Sequence, residues 1–252
     1  MPKPFNGNQM NQSFEYSIVV LCFGSGARIP AFVETTIELL LEHKINDYQL
    51  VLVGNYLEDH SDETATIVRE LAQHNSRILA IAKKKEGMMG WDMRGGMAAA
   101  TGNYISVIDG DGQNPIEDLV RIYQHITEKD YDLVKTFRTD RGDGFYRRAI
   151  SSIFNTMFRL LFPSVRSKDI NSKPKVFSRA TYDKLNLRSD DWFIDAEIMI
   201  QAGRLNLRIA ELPTTFNPLE REGGSFVKVP TLFEFVRNLI KYRLTEFRAN
   251  KG

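Results

Sequence analysis

The sequence predicts an α/β fold: a doubly wound, mostly parallel sheet with helices on both faces. Three observations carry this reading: four short β-branched apolar runs, helix-like segments between them, and a strict alternation of the two through the first half of the chain.

Residues 1–14 are expected to form a flexible start, because Met1 to Gln12 is polar, rich in Asn and Gln, and lacks the apolar core of a secretory signal. Ser17 to Phe23, Gln49 to Val53, Ile78 to Ala82 and Tyr104 to Ile108 are short, β-branched apolar runs, the pattern of parallel strands buried on both faces. Between them, Ala31 to Glu42 and Asp62 to Gln73 repeat apolar residues at three and four, and Met93 to Ala100 is rich in helix formers until Gly102 stops it. Ligands of such sheets bind beyond the carboxyl ends of the strands, so the loops after Phe23, Val53, Ala82 and Ile108 are where chemistry is expected. Asp132 to Phe137 adds another strand, followed by a basic loop, an apolar helix from Ala149 to Phe162 and a hairpin-like stretch around Lys175 to Phe177. Trp192 to Ala202 reads as a helix, Leu207 to Leu212 as a strand stopped by Pro213, and Thr231 to Arg248 as a basic amphipathic helix. One domain over residues 15–230 is therefore expected, with residues 231–252 as a C-terminal helix.

Composition sets the outer limits. Hydrophobic residues at 42% of the 252-residue chain suffice for one large core. Thirty-three basic against thirty-two acidic side chains leave a charge of +1, so no global field recruits nucleic acid and any anion site must be local. The lone Cys22 excludes an internal disulfide and a thiolate-rich metal site, and fits a cytoplasmic location. No run of about eighteen apolar residues exists to cross a bilayer, so membrane contact would be peripheral.

The most informative segment follows the fourth strand: Asp109-Gly110-Asp111-Gly112-Gln113-Asn114-Pro115. Two alternating carboxylates can turn toward one point only if the backbone bends, which Gly110 and Gly112 permit. Hard oxygens from Asp109 and Asp111, with the amide of Gln113, then suit Mg²⁺ or Mn²⁺ shared with substrate phosphates. Asn114, Pro115 and Glu117 occupy the cap, first and third positions of a helix start. A solvated Asp-Gly turn or half a calcium loop is the bland alternative, and the preceding strand and following helix argue against it.

Here the chain resembles the family 2 glycosyltransferases of the GT-A fold, nearest to the dolichyl-phosphate mannose and glucose synthases. Asp109, Asp111, Gln113 and Pro115 match that group's Asp-x-Asp-x-Gln-x-Pro motif. Gly87 to Gly102 resembles its glycine-studded helix, and Trp192 to Glu197 its aromatic-x-Asp-x-Glu motif. Glu211-Leu212-Pro213 with Arg221, Gly224, Ser225 and Lys228 resembles Glu-x-Pro followed by Arg-x-x-Gly-x-Ser and a lysine. The likeness spans Tyr16 to Lys228 and departs in two places. Asn55 stands where the family has an acidic nucleoside contact, and Gly24 to Pro30 replaces its Pro-x-Tyr-Asn-Glu, so base and sugar do not transfer.

The resemblance implies a direct, inverting, metal-dependent transfer from a nucleotide diphosphate sugar of GDP or UDP type to a lipid phosphate. It assigns donor contacts to Phe23, Gly24, Asn55, Lys84, Arg94, Asp109, Glu197, Arg221, Ser225 and Lys228, with Asp111 as the central metal ligand. Arg138, Arg141, Arg147 and Arg148, with Ser152 and Asn155, form a basic segment before an apolar helix, and Arg138, Arg148 and Ser152 are the expected acceptor-phosphate contacts. A phosphate acceptor is already ionised near neutrality, whereas a hydroxyl acceptor needs a base. Asp195 is the candidate base; Glu197, two residues on, diverges from it by about 200° on a helix and is expected to pair with an arginine. The apolar faces at Phe154, Phe158 and Phe162 and at Leu232, Leu239 and Leu244 suit either a headgroup layer, packing on the sheet or a dimer seam. Three rivals stay open: a hydroxyl-acceptor transferase, a nucleotide-binding scaffold without turnover, and a dinucleotide oxidoreductase. The last lacks the third glycine of its fingerprint.

Overall fold

The computed structural model describes residues 13–58, 62–139, 156, 158, 160–163, 165, 167–217, 237, 239 and 242. Its frame is a seven-stranded sheet of order β3-β2-β1-β4-β6-β5-β7. The strands are β1 (Tyr16–Leu21), β2 (Tyr48–Val53), β3 (Ile78–Ile81), β4 (Tyr104–Asp109), β5 (Leu133–Arg138), β6 (Lys175–Ser178) and β7 (Ile209–Thr214). All pairings are parallel except those of β6, which runs antiparallel between β4 and β5.

Helices α1 (Ile29–Glu42), α2 (Thr64–His74) and α4 (Glu117–Glu128) lie on one face, where Ile18, Leu50, Leu52, Val134 and Val176 are fully buried. Helices α3 (Met89–Ala99) and α6 (Ile194–Arg204) lie on the other, over Val19, Val51, Val107 and Phe177; the short α5 (Arg179–Tyr182) follows β6. Each fully buried Val, Leu or Ile contributes roughly 1.5–3 kcal/mol, and strands sealed on both faces supply most of them. Helix α3 sits very close to the sheet: a Cβ on Gly96 would lie 2.4 Å from Val19 Cγ1 and 2.8 Å from Val53 Cγ2.

Several expectations are corrected at element ends. Phe14 is buried and its carbonyl accepts from Asn103 N–H at 2.9 Å, so order begins before residue 15. The Lys175–Phe177 stretch forms no hairpin: it is the strand that fills the gap between β4 and β5. Strand β7 runs through Pro213, opposite Phe137, because β7 is an edge strand and the missing N–H costs the ladder nothing on its open side. Helix α4 starts at Glu117 with no side-chain cap; Asn114 is buried, and a tighter turn puts Asp118 N–H on the Pro115 carbonyl at 3.2 Å.

Candidate active site

The acidic turn is built by close backbone contacts. Gly110 N–H donates to Leu21 O at 2.9 Å, tying the end of β4 to β1. A Cβ on Gly110 would lie 2.9 Å from Val20 Cγ1, so the approach requires glycine. Gly112 has φ +79°, a left-handed turn that brings the Gln113 N–H onto Asp111 Oδ1 at 3.0 Å. Gln113 is braced from the far end of the chain: Asn217 N–H donates to its carbonyl at 2.9 Å, and its side-chain nitrogen donates to Asn217 O at 3.4 Å. Among the described residues no three His, Cys, Asp or Glu gather as a ready metal cage. Two partly exposed carboxylates and one amide oxygen are the donor set that suits Mg²⁺ or Mn²⁺ completed by phosphate and water, so the residues fit that ion.

Behind Asp109 lies a chain of buried charge that the sequence reading missed. Lys173 Nζ is 3.2 Å from Asp109 Oδ2 and 3.5 Å from Asp195 Oδ2, with its side chain only 5% exposed. Lys175 Nζ takes the other Asp195 oxygen at 2.6 Å. Burial pushes the Lys173 ammonium down, but Asp109 and Asp195 more than offset this and its pKa is raised. Burial carries Lys175 down to about 8, Asp195 opposing and Lys135 and Lys173 adding to the fall. Burial raises the Asp195 carboxyl, and Lys173 and Lys175 reverse that to a net lowering. The expectation of Asp195 as a cleft-facing base is therefore corrected. A fully buried carboxylate between two ammonium groups has neither the access nor the proton affinity of a base.

On the nucleoside side, Asn55 is fully engaged: its amide nitrogen donates to Asp92 Oδ1 at 2.8 Å and its oxygen accepts from Lys83 N–H at 3.0 Å. Lys85 bonds the other Asp92 oxygen and lies 4.3 Å above the half-exposed Phe23 ring. Asp92, on the inner face of α3, thus joins the loops that follow β2 and β3. Asn55 is 2% exposed, which corrects its expected role as a donor contact: both ends of the amide serve the fold. Gly24 has φ 68°, as the turn after β1 requires. Lys84 is exposed and paired with Glu58 at 2.7 Å. Arg94 pairs with Asp190 on the flank of α3 and, with Asn55, Lys83, Trp91 and Tyr182, lines a cavity of about 500 Å³ beside the sheet.

Residues 17–192 fit the profile of the family described as Glycosyl transferase family 2. The chain belongs to that family. Among curated family 2 relatives is the undecaprenyl-phosphate 4-deoxy-4-formamido-L-arabinose transferase of Serratia proteamaculans (strain 568), 27% identical over 143 residues, 57% of this chain and 43% of that protein. Its Yersinia pestis (strain Pestoides F) counterpart is 29% identical over 146 residues, 57% and 42% respectively. The chain thus spans less than half the length of these relatives. Among solved structures, mannosyl-3-phosphoglycerate synthase from Rubrobacter xylanophilus superposes with TM-score 0.69 at 14% identity, covering 94% of this chain and 75% of that one. Glucosyl-3-phosphoglycerate synthase from Mycobacterium tuberculosis, solved with Mn²⁺, UDP-glucose and phosphoglyceric acid, gives 0.64 at 17%, covering 95% and 83%. These likenesses show the GT-A fold.

Within this family 2 domain the expected acceptor contact Arg138 is corrected: its guanidinium forks onto Asp169, Nε to Oδ2 at 2.7 Å and Nη2 to Oδ1 at 3.0 Å. Glu197 faces neither donor nor arginine side chain; its carboxylate accepts the Arg188 and Ser189 backbone N–H groups at 3.0 and 2.8 Å and shapes the loop before α6. Glu211 accepts Ser167 Oγ at 2.6 Å and Lys168 N–H at 2.9 Å, anchoring the return to β6. Arg141, Arg147, Arg148, Ser152, Asn155, Arg221, Ser225 and Lys228 lie outside the described residues. Of the two apolar stretches, Phe158, Phe162 and Leu239 are buried in the core beside α6, while Leu160 is exposed. Packing on the sheet therefore accounts for those three side chains. Among the described residues no helix is long and apolar enough to cross a membrane.

The missed residues had a signal. In Lys173-Pro174-Lys175 the period of two places both lysines on the face of Phe177, where only a buried counter-charge makes them tolerable.

Proposed function

We propose that this family 2 glycosyltransferase moves a sugar from a nucleotide diphosphate donor of GDP or UDP type to a lipid phosphate, with inversion at the anomeric carbon. The observation that carries the reading is the pair Asp109 and Asp111 on a rigid turn at the end of β4, with Gln113 beside them. Bound there, Mg²⁺ or Mn²⁺ would neutralise the charge that develops on the departing diphosphate. Asp109, Asp111 and Gln113 would hold the ion and orient the phosphates, and Lys173 sets a fixed ammonium beside them. Arg221, Ser225 and Lys228 are proposed to close over the diphosphate, and Phe23, Gly24 and Lys84 to border the nucleoside.

An acceptor phosphate needs cations more than a base, since its second pKa is about 6. That requirement agrees with Asp195 being tied to two lysines. Arg148 and Ser152 are proposed to hold the acceptor phosphate. The undecaprenyl-phosphate transferases among the relatives favour a polyprenyl chain on that phosphate, with the protein working peripherally at the cytoplasmic face of a membrane. A soluble phosphorylated acceptor is the second reading, favoured by the neighbour solved with phosphoglyceric acid.

The test is transfer from radiolabelled UDP- and GDP-sugars, with manganese, to undecaprenyl phosphate in mixed micelles or to 3-phosphoglycerate in solution. Product on the lipid, lost in Asp111→Asn and in excess chelator, is the expected result. Product on the soluble acid alone selects the second reading, and undiminished transfer in excess chelator rejects the metal-dependent mechanism.

A further inference from the structure

Lys173 occupies an unusual place. It is a buried lysine whose ammonium lies against Asp109, one of the two carboxylates proposed to hold the ion. On its other side it meets Asp195, and the Met89 sulfur closes the shell at 3.4 Å. Lys175, opposite Val107 in the β4–β6 register, holds the remaining Asp195 oxygen. Asp109, Lys173, Asp195 and Lys175 therefore form a row of alternating charge, −, +, −, +, from the sheet end inward. Only its first member reaches solvent: Asp109 is 31% exposed, and the other three are 5% or less.

This row changes what the acidic turn offers a cation. Asp109 and Asp111 alone would present two negative charges; with Lys173 on Asp109 the local sum is one. A divalent ion arriving by itself meets a carboxylate already half-neutralised and an ammonium that repels it. A diphosphate arriving with the ion reverses the balance, because its oxygens are attracted by the ion and by Lys173 together. Asp195 governs how strongly Lys173 leans on Asp109, since the two carboxylates compete for one ammonium.

We propose that Lys173 is a positioning residue, held by Asp195, that makes divalent-cation binding at Asp109 and Asp111 conditional on a nucleoside diphosphate. The idea rests on the metal-site reading above and extends it to the order of binding. Asp195 acts on the site through Lys173 and takes no proton from the acceptor.

The experiment is Mn²⁺ binding by the full chain, followed through the electron paramagnetic resonance signal of free Mn²⁺, with Mn²⁺ alone and with UDP or GDP present. Lys173→Met removes the competing charge while leaving Asp195 its pair with Lys175, and is expected to tighten Mn²⁺ binding in the absence of nucleotide by about tenfold, the scale of one close charge near a surface. Asp195→Asn frees Lys173 to lean wholly on Asp109 and is expected to weaken the same binding. Lys173→Arg, which keeps the charge, is expected to behave as wild type. The enhancement of Mn²⁺ binding by nucleotide should shrink in Lys173→Met and grow in Asp195→Asn. A merely structural role would weaken Mn²⁺ binding in both variants or change it in neither, and either pattern overturns the proposal; thermal melts identify a variant that fails to fold, for which the other variant and Lys173→Arg carry the sign. Absence of Mn²⁺ binding in wild type and all variants, with and without nucleotide, would instead sink the metal site itself.

Discussion

Arg138 and Asp169 form a two-pronged ion pair, with the carboxylate 5% exposed and the guanidinium 19%. The arginine nearest the end of β5 thereby serves the fold, and breaking the pair would take two charged hydrogen bonds from a buried carboxylate. Arg138→Ala is expected to destabilise the protein by about 2–3 kcal/mol, the lower end for a buried pair because the arginine is partly wet. Urea denaturation measures it. An unchanged midpoint together with loss of acceptor affinity would return Arg138 to the phosphate site.

Asn55 explains its own departure from the family pattern. Its amide nitrogen points at Asp92 Oδ1, so an acidic residue at 55 would oppose two carboxylates 2.8 Å apart. Asn55→Asp should lower stability by about 1–3 kcal/mol. The swap Asn55→Asp with Asp92→Asn should restore most of it, since donor and acceptor merely exchange sides. Thermal melts of the two single variants and the swap decide the matter.

Lys175 supplies a signature in alkali. The folded protein releases this proton near pH 8, the unfolded chain near 10.5, so between those values the unfolded state binds more protons. Stability contributed by this site therefore rises with pH across that window. Lys175→Met should reduce the rise in a series of urea midpoints from pH 7.5 to 10.5, leaving the part that buried Lys135 contributes. A slope unchanged by the substitution would mean that Lys175 keeps its proton throughout.

Gly110→Ala tests the geometry of the acidic turn. The new methyl would sit 2.9 Å from Val20 Cγ1 and 3.3 Å from Leu21 O, so β1 and β4 must part at their carboxyl ends. The expected cost is about 1–3 kcal/mol of stability, with a larger loss of Mn²⁺ binding in the presence of nucleotide than the loss of stability alone explains. Equal Mn²⁺ affinity in the variant would show that the carboxylates do not depend on that contact.

Sequence reading reached the parallel half of the sheet because strands covered on both faces are written as unbroken apolar runs, as in Ile18 to Cys22 and Leu50 to Val53. It gave Lys175 to Phe177 a hairpin-like form but not its place between β4 and β5, because a four-residue strand with a buried lysine is one that propensity alone would assign to the surface. The same asymmetry holds at the site. Asp109 and Asp111 could be singled out because both carboxylates and their turn lie within three residues. Asp195, Glu197 and Arg138 were misassigned because helix and strand periodicity reveal which way a side chain faces and say nothing of a partner distant in sequence. Lys173 and Asp169 are such partners.

The antiparallel strand β6 also imposes a schedule on the growing polypeptide. Until residues 175–178 emerge from the ribosome, β4 has β1 on one side and nothing on the other. During that interval its outer N–H and C=O groups form an open border, inviting association with other nascent chains. Asp109 meanwhile lacks its ammonium neighbour. Quality of expression should thus hinge on how quickly translation passes that point, a dependence that the finished fold no longer carries.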